Sequence, residues 1–481
     1  MAGKRLSTPL LTQTSGFRNP FFSTSPTYIP FATEFNGLEN VLLISTLLCS
    51  HYLYDIISQV IVWNNNPSPL TAEMFADTSC NPAKLKIHNS PSNIYFQARF
   101  IACAQAETPY CFIQDDDYLV RPEIIKAMRS FIDKEPSLYS VHLLPSREHL
   151  LSRLRTVVSY DKRISTSFAW LGHGTFVRRN AVVDFLNLLG KLNLAEDELQ
   201  MADNYFTILA NRRAETWLDH GIELGGGQPF TVGAEGDERN DKYTTRALES
   251  LFDITRSEYS KGSLPYVSIA AKPSPFSINR SPCLKGACLI ESNINLTPAY
   301  NYSTVSHARE LTPLVHKAQN MLKDEVVKAY LYNALSSAVD DNPMTSFRSP
   351  SDAKIGDWIA LKILDGLLCS ASETELQVVL LVRSGTARLL LLSRVKLLLT
   401  TDIWVDGKSE TKCFDTDLLA EGPALKRDAS TDKDLFLMEC RFKIDYLINQ
   451  KVAVQSIRIE LLKDAKDPWE VHEIWLRRVV L

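Results

Sequence analysis

The residues that concentrate chemistry in this sequence are three adjacent carboxylates, Asp115, Asp116 and Asp117, directly after the apolar run Tyr110-Cys111-Phe112-Ile113. That run reads as a short buried strand. In open α/β sheets, ligands sit beyond the carboxyl ends of the strands, where these acids fall. Three like charges in a row repel one another, and a bound cation relieves the repulsion. Hard divalent ions such as Mn²⁺ or Mg²⁺ prefer oxygen ligands. An Asp-x-Asp at a strand end can hold a metal that bridges a diphosphate and neutralises it as it leaves. The alternative is an acidic solvated turn, and placement after a buried strand favours the metal.

Elements of matching kind surround these acids. Tyr28–Ala32 reads as a strand and Glu39–Leu48 as a helix. Ile56–Trp63 is a strand by its β-branched content, stopped by Asn64-Asn65-Asn66-Pro67. Asn93–Ala106 reads as a helix, and Pro122–Ile132 as a helix with Pro in its first turn. Strand and helix in alternation predict an open, mostly parallel sheet covered on both faces.

The chain has 481 residues, which sets a prior of two or three domains. Apolar residues make up 45% and charged residues 22%, an ordinary globular composition. The net charge is −4 and no Lys/Arg-rich run stands out, so the electrostatic footprint of a nucleic-acid binder is absent. No stretch reads as a membrane span: the apolar segment Val41–Trp63 is broken by His51, Asp55 and Gln59. Residues 1–27 read as a disordered tail, with a weak likeness to a transit peptide. No signal or anchor is visible.

Nine cysteines are scattered without CxxC spacing, which argues against structural zinc. Cys103 and Cys111 lie in apolar stretches and are expected as buried thiols. Cys283 and Cys288 can close a short loop in an oxidising compartment. Residues 272–318 are proline-bearing and expected as a connector. They hold the glycosylation sequons at Asn279, Asn295 and Asn301, whose grouping in an expected surface segment suggests a lumenal protein.

From residue 319 onward short strand-like runs follow one another: Trp358–Ile363, Gln377–Val382, Arg388–Leu392, Val395–Leu399, Leu435–Arg441, Val454–Leu461 and Val471–Leu476. They predict an antiparallel sandwich. The domain boundaries expected are therefore 28–271 for the α/β domain and 319–481 for the sandwich.

Val60-Ile61-Val62-Trp63-Asn64-Asn65, then Ala98-Arg99-Phe100, then Tyr110–Asp117, resemble in order and separation the exostosin-like family 64 glycosyltransferases, which have the GT-A fold, a Rossmann-like mixed sheet. Met201-Ala202-Asp203-Asn204-Tyr205-Phe206 resembles a third segment of that family, with Ala202 standing where the family has an acid. The resemblance covers about residues 28–255. It implies that Asn65, Arg99, Asp115, Asp116 and Arg246 bind a UDP-sugar donor. It implies that Asp115 and Asp117 hold Mn²⁺ or Mg²⁺, and that Asp203 lies near the anomeric carbon. Each has a plainer alternative: Arg99 and Arg246 as helix-surface residues, Asp203 as the N-cap of a helix over Asn204–Asn211. His173, between two glycines, reads as a solvent-facing residue in a tight turn, and Gly225-Gly226-Gly227 as a flexible loop or lid.

In the C-terminal part, Ala338-Val339-Asp340-Asp341-Asn342-Pro343-Met344-Thr345-Ser346-Phe347-Arg348-Ser349 and Gly356-Asp357-Trp358-Ile359 resemble the discoidin or coagulation-factor type C modules, a galactose-binding-like jelly roll. That resemblance implies a structural Ca²⁺ at Asp340, Thr345 and Glu473. Together the resemblances imply a retaining transferase in the Golgi or another secretory compartment. It would move an N-acetylhexosamine or hexose from a UDP-sugar to a glycan or glycolipid. Two other readings stand beside it: an inactive carbohydrate-binding scaffold, and a metal-dependent nucleotidyltransferase.

Overall fold

The structure is a computed structural model, and it describes residues 27–33, 37–219, 221–225, 233–257, 264–268, 278–297, 303–322, 324–370, 374–391, 395–405, 408–416, 424–427, 434–443 and 451–480. The chain forms two compact units, one within Phe21–Pro275 and Ala299–Lys323, the other within Phe276–Pro298 and Asp324–Leu481. The expected tail, 1–27, lies almost entirely outside the described residues. So do Gly226, Gly227 and the sequon at Asn301.

The first unit opens with β1 (Thr27–Thr33), α1 (Leu38–Leu48), β2 (Ile57–Asn64) and β3 (Leu85–Asn89). Next come α2 (Gln97–Ala104), β4 (Tyr110–Asp115), β5 (Tyr118–Leu119), α3 (Pro122–Lys134) and β6 (Ser140–Leu144). Then follow α4 (Ser146–Leu154), β7 (Val157–Ser159), β8 (Ser165–Thr166), β9 (Thr175–Arg178) and α5 (Arg179–Leu192). The stretch ends with α6 (Glu196–Gln200), α7 (Ala202–Leu209), β10 (Glu215–Leu218), β11 (Ile222–Glu223) and α8 (Ala234–Arg256).

Within this unit the main sheet runs β3-β2-β1-β4-β9-β6-β10. All its pairs are parallel except those of β9, which is antiparallel to both β4 and β6. The sheet is mostly parallel, as expected from the sequence, and is mixed through one reversed strand in its middle. The four residues of β9 follow a tight turn, so their alternation is too short to reveal strand direction. The order reverses at β1 and β4: β2 and β3 lie on one side of β1, β4 on the other. Such a switch point leaves a crevice at the strands' carboxyl ends. Ala32 pairs with Asp115 there.

An aromatic core draws the helices together. The ring centroids of Phe100 on α2 and Phe206 on α7 are 5.0 Å apart, and that of Phe185 on α5 lies 4.9 Å from Phe100. Apolar burial of this kind supplies the dominant stabilisation. It also decides the site, because Phe100 follows Arg99 directly and Phe206 lies one helical turn after Asp203.

The stretch expected as a connector, 272–318, holds β12 (Asn279–Pro282), β13 (Cys288–Ser292), β14 (Ser303–Val305) and most of α9 (Leu311–Met321). β14 pairs with β7, completing a small sheet with β8 in the first unit. Asn279 is not at the surface. It is 3% exposed, and its side-chain amide donates to the Ser292 and Ile294 carbonyls. Asn295 is exposed.

The second unit contains β12 and β13, then α10 (Asp324–Tyr332), β15 (Phe347–Arg348), β16 (Trp358–Ser370), β17 (Thr374–Arg383) and α11 (Ser384–Leu391). It closes with β18 (Val395–Val405), β19 (Lys408–Thr416), β20 (Ala424–Arg427), β21 (Leu435–Lys443), β22 (Lys451–Leu461) and β23 (Glu470–Val480). Two antiparallel sheets result, β19-β18-β22-β16-β13-β12 and β15-β23-β17-β21-β20. Arg388–Leu392, expected as a strand, falls largely in α11. A short leucine run carries no period that separates helix from strand.

Cys103 and Cys111, expected as thiols, form a disulfide, and so do Cys283 with Cys288 and Cys49 with Cys80. Cys440 is a buried free thiol. Among the described residues, no helix is long and apolar enough to cross a membrane.

Candidate active site

The site is built where β4 ends. Asp115 is its last residue, and Asp116 and Asp117 continue into the turn before β5. The backbone amide of Asp115 donates to the Gly172 carbonyl at 2.8 Å, so the turn between β8 and β9 extends the β4 ladder by one bond. Two glycines make room for the acids. A Cβ on Gly172 would lie 2.0 Å from Asp115 Oδ2, and a Cβ on Gly37 2.0 Å from Asp116 Oδ2. Neither carboxylate can sit as it does against any side chain larger than hydrogen.

Arg99 lies at the centre, 2% exposed. Its Nη2 donates to both oxygens of Asp115, at 2.7 and 3.0 Å, and its Nη1 donates to Asp203 Oδ2 at 2.7 Å. Its guanidinium also stacks on Phe96, 4.7 Å from the ring centroid. Burial acts against its charge, and Asp115 and Asp203 outweigh that and keep it protonated. The alternative of a helix-surface residue is thereby set aside. A buried guanidinium must be paired, and one that clamps two carboxylates fixes their geometry.

Asp203 is fully enclosed, and it lies inside α7, whose N-cap residue is Met201. It is not the helix cap. Burial pushes its carboxyl up to about 7; Arg99 opposes this and the Asp115 charge adds to it. Asp117 is pushed up to about 6, first by burial and then by Asp115. A carboxylate raised by its neighbour's charge is one that a cation would stabilise. Among the described residues no set of three acid, His or Cys side chains converges on one point. The donor set nevertheless fits a hard divalent ion that takes one or two carboxylates and completes its shell with water and phosphate oxygens.

The ribbon of β5 and β11 lies beside the acids. Tyr118 pairs with Glu223, and Leu224 N donates to the Asp117 carbonyl at 2.8 Å. Asn40 Nδ2 donates to the Gly225 carbonyl at 2.7 Å. His173, expected to face solvent, is half-buried, with its ring edge-on to Tyr118 at 4.3 Å. Sequence reasoning missed this neighbour because the turn holding His173 reaches the end of β4 through the Asp115–Gly172 backbone bond, which spacing does not report.

Asn65 is 6% exposed, and its Oδ1 accepts from the Trp63 indole at 3.2 Å and from Ile94 N at 3.4 Å. That bonding shapes the turn after β2. Arg246 is not brought to the acids. It is half-buried on α8, with its Nη1 3.5 Å from Glu198 and 3.7 Å from Asp197.

In the second unit, Thr345 Oγ1 donates to both oxygens of Asp340, at 3.0 and 2.8 Å. Asn342 N lies within hydrogen-bond distance of Asp340 Oδ1 and Glu473 Oε1. Burial, and then Asp340, pushes Glu473 up to about 8. Lys285 pairs with Asp341. Asp340, Asn342, Thr345 and Glu473 thus bond to one another, and among the described residues no three acid, His or Cys side chains converge there.

No protein-family model and no curated protein matches the chain. Solved structures similar to parts of it include residues 1–349 of S. aureus TarS in complex with UDP, at 18% identity, over 50% of this chain and 76% of that one, with a TM-score of 0.30. A mannosyltransferase from Pyrobaculum calidifontis in complex with GDP-Man and Mn²⁺ is similar at 14% identity, over 54% and 79%, with a TM-score of 0.28. The module CBM32-1 of a family 31 glycoside hydrolase from Clostridium perfringens is similar at 19% identity, over 30% and 84%, with a TM-score of 0.17.

Proposed function

We propose that this chain is a metal-dependent glycosyltransferase that moves a hexose or N-acetylhexosamine from a UDP-sugar to a hydroxyl of a glycan or glycolipid. The observation that carries the reading is the buried guanidinium of Arg99 clamped between Asp115 and Asp203 at the end of β4. Three carboxyls, Asp115, Asp117 and Asp203, act on that one cation. The excess negative charge lies at the sheet's switch point, where a divalent ion would offset it and would in turn hold the negative diphosphate.

Asp115 and Asp117 would hold Mn²⁺ or Mg²⁺, which supplies charge neutralisation of the departing diphosphate. Arg99 fixes Asp115 and Asp203 and adds its own positive potential. In the transfer, the bond from the anomeric carbon to the diphosphate oxygen breaks, and one forms to the acceptor oxygen. The acceptor's proton passes to the leaving diphosphate. A retaining course brings the acceptor in on the face the diphosphate leaves. Asp203 is the carboxylate proposed to stabilise positive charge on the sugar ring there. Asp116 and Asn65 shape the donor pocket, and Arg246, turned toward Asp197 and Glu198, drops out of it.

The disulfides support folding in an oxidising compartment, in keeping with a secretory location. The test is calorimetric titration of the full chain with UDP and UDP-sugars, with and without Mn²⁺. The reading expects binding that requires the ion.

A further inference from the structure

The turn Leu171-Gly172-His173-Gly174 is used by the proposed mechanism only through Gly172, whose carbonyl receives the Asp115 amide. His173 is the next residue along. The turn is closed by Gly174 N donating to the Leu171 carbonyl at 3.2 Å. Gly174 has φ +119°, a conformation that side-chain-bearing residues rarely adopt. The imidazole is therefore held by backbone geometry. It stands edge-on to Tyr118, with an interplanar angle of 85°, and Tyr118 follows the last of the three acids.

Two further facts describe the ring. Nδ1 is shielded from solvent and has no hydrogen-bond partner among the described residues. Burial, with the Arg99 charge adding to it, pushes the imidazole down to about 4, so it is neutral near pH 7. A neutral imidazole carries one donor and one acceptor. A shielded ring nitrogen without a partner is costly, and such groups mark places where a ligand or water completes the bonding.

We propose that His173 is a ligand-contacting residue, whose neutral imidazole hydrogen-bonds a sugar hydroxyl of the nucleotide-sugar held over Asp115 and Asp117. This rests on the glycosyltransferase reading and adds a residue to it. A hydroxyl is the matching chemistry because it both donates and accepts, and so serves either imidazole tautomer. A phosphate oxygen only accepts, and it has Arg99 and the metal nearby to serve it. The hydroxyl belongs either to the ribose or to the transferred sugar, and binding data separate the two.

The experiment titrates wild type, His173→Ala and His173→Gln, each as the full chain with Mn²⁺, against UDP, UDP-glucose and UDP-N-acetylglucosamine. Mn²⁺ alone is titrated in parallel. His173→Ala is expected to bind the UDP-sugars about tenfold more weakly, the loss of one hydrogen bond. If UDP itself weakens equally, the hydroxyl is the ribose's. If UDP changes less than about twofold, it is the transferred sugar's. His173→Gln recovers most of the loss, because its amide both donates and accepts.

Unchanged binding of all three nucleotides by His173→Ala overturns the proposal, and so does weakening that follows lowered Mn²⁺ affinity. So do equal affinity losses in the Ala and Gln variants accompanied by equally lowered melting temperatures, which mark a purely structural ring. If wild type binds neither UDP nor a UDP-sugar, the glycosyltransferase reading itself fails and this inference with it. Nucleotide binding by wild type that His173→Ala retains removes His173 alone.

Discussion

Asp203 is enclosed, ion-paired with a residue 104 positions away, and raised to about 7. Asp203→Asn keeps its shape and removes its charge. The variant is expected to bind UDP-sugar with Mn²⁺ nearly as wild type does, and to turn over about a hundredfold more slowly, as expected when an electrostatic stabiliser is removed. Wild-type turnover should rise with pH through about 7 as Asp203 ionises, and the Asn variant should lack that limb. Single-turnover rates across pH 5.5–8.5 check both, and wild-type rates in the variant remove Asp203 from the mechanism. At this scale Asp115, Asp116 and Asp117 were legible because a buried strand runs straight into them. Arg99 was legible as a residue but not as a buried one. Its burial depends on Asp203, and sequence spacing does not report a partner so distant. The position of Arg246 on α8 is visible in sequence, but that its side of the helix faces Asp197 is not.

The contact between α2 and β4 carries two clamps. Arg99 and Asp115 form one, and the disulfide of Cys103 and Cys111 forms the other. Cys103 lies one helical turn after Arg99, and Cys111 lies on β4 four residues before Asp115, so the disulfide and the ion pair pin the same two elements. The bond closes a loop with a sequence separation of 8. Replacing both cysteines by serine is expected to cost about 2.5 kcal/mol on chain-entropy grounds. It should also weaken UDP binding severalfold, since α2 then holds Arg99 less firmly against Asp115. Denaturant melts and calorimetry on the double variant check this; unchanged stability and affinity would remove the disulfide from the site's support. Sequence identified β1, α1, β2, β4 and α3 within a residue or two, because each has a clear period or a clear stop signal. It did not identify the direction of β9 or the helix α11. Both are short, and both take their form from neighbours rather than from their own pattern.

Among the described residues of the whole chain, five carboxyls are raised, first by burial: Glu148, Asp357, Asp117 to about 6, Asp203 to about 7 and Glu473 to about 8. Each binds its proton more tightly folded than unfolded. Their contribution to stability is therefore full below the unfolded carboxylate range near 4 and is lost as pH rises through about 6 to 8. His142, His149 and His173, pushed down by burial to about 4, 3 and 4, lose stability as pH falls below about 6.5 and oppose this trend. The trend is therefore read as a difference: the metal-free Glu473→Gln variant should gain melting temperature relative to wild type between pH 5 and pH 8. Mn²⁺ competes with protons at Asp117, so it should raise the melting temperature more at pH 8 than at pH 5. Differential scanning calorimetry of wild type and variant at the two pH values checks both; a difference in melting temperature that does not grow toward pH 8 contradicts the raised Glu473 carboxyl. A shift in pattern after residue 319 was legible in the sequence. The enlistment of β12 and β13 by the second unit was not, because proline-bearing strands with little alternation read as linker. The central claim is that Asp117 belongs to a divalent-metal site for a nucleoside diphosphate. Calorimetric titration of UDP into wild type and Asp117→Asn, each with and without Mn²⁺ at pH 7.5, tests it most directly. The expected result is Mn²⁺-dependent binding in wild type and none in the folded variant, while equal Mn²⁺-dependent affinity in the two would contradict the claim.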